Sequence, residues 1–208
     1  MSTVDAHRIT TIEQLRTRIG EPSAIVPQKL WKSLNETAVG FIQKSPFLLL
    51  ATADANGNMD VSPKGDSPGF VAIENENTLL IPDRSGNKLI FGLQNILLNP
   101  HVGLIFLIPG TGETFRVNGR AELTVDPVIL ERLSARGKPA VVAIRVTIEE
   151  CFLHCAKAFL RAQLWQPEQW PEQYRISFGK LLAPKLGGDD KMIKQFDEFV
   201  EQDYKNNL

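Results

Sequence analysis

Apolar residues fall in short, strand-length runs through the middle of the chain and at helical spacing towards its ends. Phe47–Ala53 is a nearly continuous apolar run. Asp54-Ala55-Asn56-Gly57 reads as a turn, and Met59–Ser62 resumes extended, which together predict a hairpin. Pro63-Lys64-Gly65-Asp66 is expected to break the second arm. Phe70–Ile73 and Thr78–Ile81 predict another hairpin around Glu74-Asn75-Glu76-Asn77, followed by a polar loop at Asp83–Asn87. His101–Ile108 reads as a buried strand. Glu113–Thr124 carries the clearest period-two pattern, with Phe115, Val117, Gly119, Ala121 and Leu123 on one side and Thr114, Arg116, Asn118, Arg120 and Glu122 on the other. Ala140–Ile148 is the last long strand of this reading.

Helical signals frame these runs. Thr10 or Thr11 caps a helix ending near Gly20. Asn35 caps a second helix within Leu34–Lys44, with Ala38, Phe41 and Ile42 on one face. Lys88–Leu98 reads as a helix stopped by Asn99-Pro100. Asp126 and Pro127 supply an N-cap and a first helical residue for a helix towards Ala135. Beyond Glu150 the chain reads as helical and irregular, with helices over Ser177–Ala183 and Asp189–Tyr204. Hairpins outnumber strand–helix alternations. The fold class expected is therefore mainly β with helices (α+β), an antiparallel barrel of about six strands. Its organisation is an N-terminal helical extension over 1–46, a barrel over 47–150, and a C-terminal helical segment over 151–208 in the same domain.

Composition narrows the function classes. With 208 residues, 43% hydrophobic and 23% charged, the chain suits one substantial domain. A net charge of −1 gives no general attraction to nucleic acid or anionic lipid, so neither partner is expected. No apolar run is long enough to span a membrane. Asp5, His7 and Arg8 precede Ile9 with no apolar core of a secretory signal. Cys151 and Cys155, the two cysteines, are poorly spaced for a structural disulfide and fit a reducing, cytoplasmic compartment.

With charge balanced overall, an anion site must be local. Lys64, Arg84 and Lys88 stand at strand ends, which a hairpin barrel brings together on one phosphate. Ser85-Gly86-Asn87 adds donors, and a helix beginning at Lys88 adds the positive end of its dipole. The same residues also read as solvated loop-end charges, the usual state of Lys and Arg. Neither a Walker loop nor a G-x-G-x-x-G run occurs. Cys151, His154 and Cys155 supply three of the four ligands a structural zinc needs, and no metal is expected. Asp60 and Asp66 flank Lys64 as base and orienter, or as turn caps. No catalytic residue is assigned.

The segment Phe47-Leu-Leu-Leu-Ala-Thr-Ala-Asp-Ala-Asn-Gly-Asn-Met-Asp-Val-Ser-Pro-Lys-Gly-Asp66 resembles the opening hairpin of the pyridoxamine 5′-phosphate oxidase superfamily. Ile81-Pro-Asp-Arg-Ser-Gly-Asn-Lys88 resembles its phosphate segment. Asn99–Phe106 and Thr114–Glu122 resemble its next two strands, so the likeness spans about residues 47–148. Cys151–Trp165 resembles a subgroup assigned as FMN-dependent enzymes.

The resemblance implies a six-stranded split β-barrel holding FMN non-covalently at a homodimer interface. By position, Met59, Asp60, Val61, Ser62 and Lys64 belong to the strand edge beside the flavin. Lys64 and Lys88 hold its phosphate, and the backbone of Ile81 and Pro82 lies along it. Asn87 stands where the oxidase has a phosphate-binding Arg, with Arg84 as a substitute fork. Thr114 stands where the oxidase has a flavin-contacting Gln, and Arg116 is a nearby polar group for the ring edge. His154, Lys157 and Arg161 are expected on one helical face approaching the cofactor or a second substrate, with Trp165 beyond. The oxidase's C-terminal substrate segment is not found, so pyridoxamine phosphate oxidation is not expected. The function implied is an FMN-dependent oxidoreductase acting on a small molecule. The alternatives are a non-catalytic flavin- or haem-binding protein, or an interaction protein with a vacant site.

Overall fold

The computed structural model describes residues 7–206; positions 1–6 and 207–208, the outer ends of the two expected terminal extensions, lie outside the described residues. Two helices come first, α1 (Ile12–Ile19) and α2 (Glu36–Lys44). Thr11 caps α1 through a reciprocal box with Gln14, yet the helix buries none of its residues. Asn35 accepts from the Ala38 N–H at 2.9 Å, and α2 lays Ala38 and Ile42 into the core. Replacing Asn35 by Ala removes that cap and is expected to cost about 1 kcal/mol, a fall of roughly 2–4 °C in the thermal midpoint. Calorimetry of the single variant checks it.

Among the described residues, seven strands make one antiparallel sheet, one more than the six expected. They are β1 (Phe47–Ala53), β2 (Met59–Gly65), β3 (Ala72–Asn75), β4 (Thr78–Asp83), β5 (His101–Leu107), β6 (Thr114–Thr124) and β7 (Val142–His154). The sheet order is β2-β1-β5-β6-β7-β4-β3. Helix α3 (Phe91–Leu98) joins β4 to β5, and α4 (Pro127–Arg132) joins β6 to β7. Beyond β7 come α5 (Lys157–Ala162), α6 (Phe178–Leu182) and α7 (Asp190–Asn206). The last two pack chiefly on each other, through Ser177 and the Gly179 N–H donating to Asp197.

Pleating sorts the side chains onto two faces. Leu48, Leu50, Leu104, Phe106, Phe115, Val117, Ile144, Val146, Leu79 and Ile81 all turn inward and form the main core with Ala38 and Ile42 of α2. Leu80, Leu133, Ala140 and Ala143 form a second, smaller core on the opposite face, under α4.

Three differences from the sequence reading bear on the site. β2 does not break at Pro63; it stays paired with β1 through Gly65. It is the edge strand, where a missing N–H costs no ladder bond. Helix α3 starts at Phe91, not Lys88, because Lys88 takes φ +63°, outside the helical region. β7 runs on to His154 instead of ending near Ile148. A bulge at Asn118/Gly119 shifts the β6–β7 register, and Cys151 and Leu153 then pair with Val117 and Phe115.

The sheet curls strongly. Five strand spacings separate β2 from β4, roughly 24 Å in a flat sheet. Yet Lys64 of β2 forms an ion pair with Asp83 of β4, and Arg84 just after β4 reaches Asp66 just after β2 at 3.1 Å. Side chains, not backbone hydrogen bonds, bridge this gap.

Candidate functional site

The opening between β2 and β4 is a cleft of about 490 Å³. β2 presents residues alternately. Asp60, Ser62 and Lys64 lie opposite Thr52, Leu50 and Leu48 of β1 and therefore face inward, while Met59, Val61 and Pro63 face out. Asp60 and Ser62 form the polar floor of the cleft, and Leu89, Ile90, Phe91 and Val141 form its apolar wall. Gly92, in the first turn of α3, allows close approach to that floor. A Cβ there would stand 3.3 Å from an Asp60 carboxylate oxygen. Asn95 of α3 donates to the buried Thr52 hydroxyl at 3.1 Å, tying helix to strand.

The three cations expected to converge are brought to this end of the sheet but are not equivalent. Lys64 is paired with Asp83, which lines the cleft. Arg84 gives Nε and Nη2 to Asp66 Oδ2 and Nη1 to the Leu133 carbonyl at 2.8 Å. Lys88 lines the cleft, is exposed, and joins no ion pair among the described residues. Asn87 turns its carbonyl oxygen onto the Leu89 N–H at 2.9 Å, which shapes the loop. Because the helix begins three residues later, its dipole does not start at Lys88.

Ile81 and Pro82 are buried, Ile81 within the core. On the β3 side, strand pairing stops at Leu80, so the backbone edge of Ile81, Pro82 and Asp83 has no strand there.

The remaining expected residues lie elsewhere. Thr114, Arg116 and His154 point away from the main core on β6 and β7, with Thr114, which is buried there, opposite His154 and Arg116 opposite Phe152. His154 ends a strand, so it does not share a helical face with Lys157 and Arg161; only those two sit on α5. Phe152 organises the cluster. Its ring lies 4.9 Å from His154, and Lys29 and Arg116 stand over it at 5.3 and 5.7 Å. Burial, and then the charges of Lys29 and Arg116, hold the His154 imidazole below its ordinary range, so it stays neutral further into acid. Arg116 also donates to Asn118, whose amide donates to Glu150. Met59 and Arg116 line one outward groove of about 370 Å³, floored by Ala51 and Gly103. Trp165 is spent on structure. Its indole N–H donates to the Thr111 carbonyl at 2.8 Å, and its ring stacks on Phe159.

Sequence reasoning missed the partners more than the cations. Asp83, Lys29, Phe152 and the apolar wall at Leu89–Phe91 were not singled out. The adjacency of Asp83 to Arg84 is the one local signal that a counter-charge stood nearby.

The two cysteines part company. Cys151 faces the core, its Sγ directed at the Ser33 carbonyl at 3.5 Å, and burial followed by the Glu150 charge pushes its thiol up to about 11. Cys155 is exposed. A thiol reagent at pH 8 is therefore expected to modify one cysteine in the native protein and two in denaturant; mass spectrometry identifies the fast site as Cys155.

A family model described as pyridoxamine 5′-phosphate oxidase matches residues 34–155. None of the curated proteins compared matches the chain. Among solved structures, HupZ of Group A Streptococcus is 16% identical, covering 58% of this chain and 93% of its own with a TM-score of 0.48. A candidate pyridoxamine 5′-phosphate oxidase of Lactobacillus delbrueckii is 26% identical, covering 59% and 95% with a TM-score of 0.46. An FMN-binding protein of Syntrophomonas wolfei is 11% identical, covering 69% and 96% with a TM-score of 0.44.

Proposed function

We propose, from the premise that this chain belongs to the pyridoxamine 5′-phosphate oxidase family, that it is an FMN-dependent oxidoreductase of a small molecule, with each flavin site shared between two copies in a split-barrel homodimer. The observation carrying this reading is the division of the candidate residues between two faces of one sheet. The cleft group, Asp60, Ser62, Lys64 and Lys88, faces the opening between β2 and β4. Arg116 and His154, both half-buried, face the opposite way, beside the buried Thr114. One copy cannot lay both groups on one ligand, whereas a second copy's outward face can close over the first copy's cleft. Met59 and Val61, 68% and 57% exposed on the outward side of β2, supply apolar surface for that contact.

The cleft fits an elongated ligand with an anionic end. Lys88 is available for a phosphate, and Lys64 becomes available by exchanging Asp83 for it. The wall of Leu89, Ile90, Phe91 and Val141 suits the face of a fused ring, and Asp83, whose backbone has no strand on the β3 side, is the one residue of that β4 edge in the lining. Bound there, the flavin supplies hydride transfer; the chain positions it and excludes water. Arg116 and the neutral His154 of the second copy close the site, the first offering a fixed charge and the second a proton-accepting nitrogen. The reading includes a cytoplasmic setting, supported by two free thiols four residues apart. No helix among the described residues is long and apolar enough to cross a membrane.

The test is the visible spectrum of freshly purified protein, with identification of the released chromophore. Flavin absorption that bleaches with NADH or NADPH and returns with an acceptor is the expected result. Colourless protein that also fails to take up added FMN sinks the proposal. A bound flavin that no donor reduces replaces the enzyme with a binding module, and a monomer by light scattering removes the shared site.

A further inference from the structure

We propose that a second cleft, formed by Arg84, Arg132 and Arg136, is a separate binding site for a phosphate-ester dianion. This cleft of about 310 Å³ lies between the Asp66–Phe70 loop and the Arg132–Arg136 segment. Its arginines come from three places: the end of β4, the last turn of α4, and the tight turn at Ala135–Lys138. Among the described residues Asp66 is the single acid in its lining, which gives the cleft an excess of two positive charges in a chain whose net charge is −1.

Asp66 does not exhaust these donors. Its side chain is 4% exposed and accepts from Arg84, from Arg136 at 3.5 Å and from the Ser67 N–H at 2.9 Å. Arg132 gives one N–H to the Ile73 carbonyl at 2.9 Å. Each guanidinium has five N–H groups, so Arg132 and Arg136 keep most of theirs for a ligand. Both are exposed, and the hydroxyls of Ser67 and Ser134 join them in the lining. Donors arriving from three directions suit a tetrahedral oxyanion better than a planar carboxylate.

Arg136 is also held in the left-handed region at φ +50°, followed by Gly137 at φ +73°. Glycine holds that conformation without strain and a side chain does not, so this turn presents a guanidinium at a conformational cost. Arg84 alone lines both clefts; Lys64, Lys88 and Asp83 have no part in this one.

The experiment follows thermal unfolding of the full-length protein in inorganic phosphate against sodium chloride of equal ionic strength. With phosphate at about ten times its Kd the midpoint is expected to rise by roughly 3–6 °C. Arg132→Gln combined with Arg136→Gly abolishes the rise. In chloride that variant keeps its midpoint within about 2 °C of the parent, because its lost exposed contacts are offset by relief of the turn. Arginines serving structure alone would instead lower the midpoint equally in both salts. Lys64→Ala with Lys88→Ala retains the rise. No rise in the parent, or a rise that survives loss of the arginines, overturns the proposal. If the surviving rise disappears in the lysine variant, phosphate occupies the flavin cleft and the flavin reading stands without the second site.

Discussion

Replacing Lys64 and Lys88 together by alanine is expected to strip FMN from the protein. Each charge-assisted contact to a phosphate contributes about 1.5–3 kcal/mol, so losing two weakens binding by roughly a hundredfold to ten-thousandfold. The two lysines differ in kind. Lys88 is exposed and unpaired with any acid among the described residues, so its removal subtracts a contact. Lys64 is paired with Asp83, so its removal also leaves a carboxylate facing the arriving phosphate. The Lys64 variant should therefore lose more affinity than the Lys88 variant, and the gap should narrow in Lys64→Ala with Asp83→Asn. Fluorescence titration with FMN measures all four. A change below tenfold in the double-lysine variant removes these residues from the cofactor site. Unfolding midpoints run beside the titrations separate lost binding from lost fold.

The second large effect concerns the backbone. Gly119→Ala is expected to destabilise the protein by about 3 kcal/mol or more, a fall of at least roughly 6 °C in the midpoint. Gly119 sits at the β6–β7 bulge, and a Cβ placed there runs into the Thr147 carbonyl oxygen across the ladder. Backbone cannot turn aside as a flexible side chain would, so the strands must separate. Gly40→Ala is the control. Gly40 lies within α2 with open space where a Cβ would go, and alanine there should stabilise by about 0.5–1 kcal/mol through helix propensity. Equal responses at the two positions would mean that the bulge does not confine Gly119. The bulge also matters to the site. It sets the register that puts Arg116 opposite Phe152 and Thr114 opposite His154.

Much of the local architecture was legible in the residues themselves. The Asp54–Gly57 turn is real, with the Asp54 carboxylate accepting the N–H groups of Asn56 and Asn58. Asn35 and Asp126 cap the helices they were expected to cap, Thr11 is the one of the two expected threonines that caps α1, and Ser177, the first residue of an expected helix, caps α6. The alternation in Glu113–Thr124 matches the burial of β6 from Phe115 to Glu122, with Phe115, Val117, Gly119 and Ala121 inside, while Thr114, on the polar side of that pattern, is buried as well. Each of these signals acts over four residues or fewer, through a turn dihedral, a side-chain cap or the pleat. Tertiary structure alone decided the rest. Pro63 stays in a strand because, among the described residues, β2 has no neighbour on its far side. β7 continues past Glu150 because its own extra residue, Glu149, between the Asn118–Glu150 and Gly119–Ile148 pairs, brings apolar residues into register. Lys64 meets Asp83 and Arg84 meets Asp66 across separations of 19 and 18 residues. Charge positions along a chain are local facts, but which charges touch depends on how far the sheet curls, and that is set by the packing of the whole core.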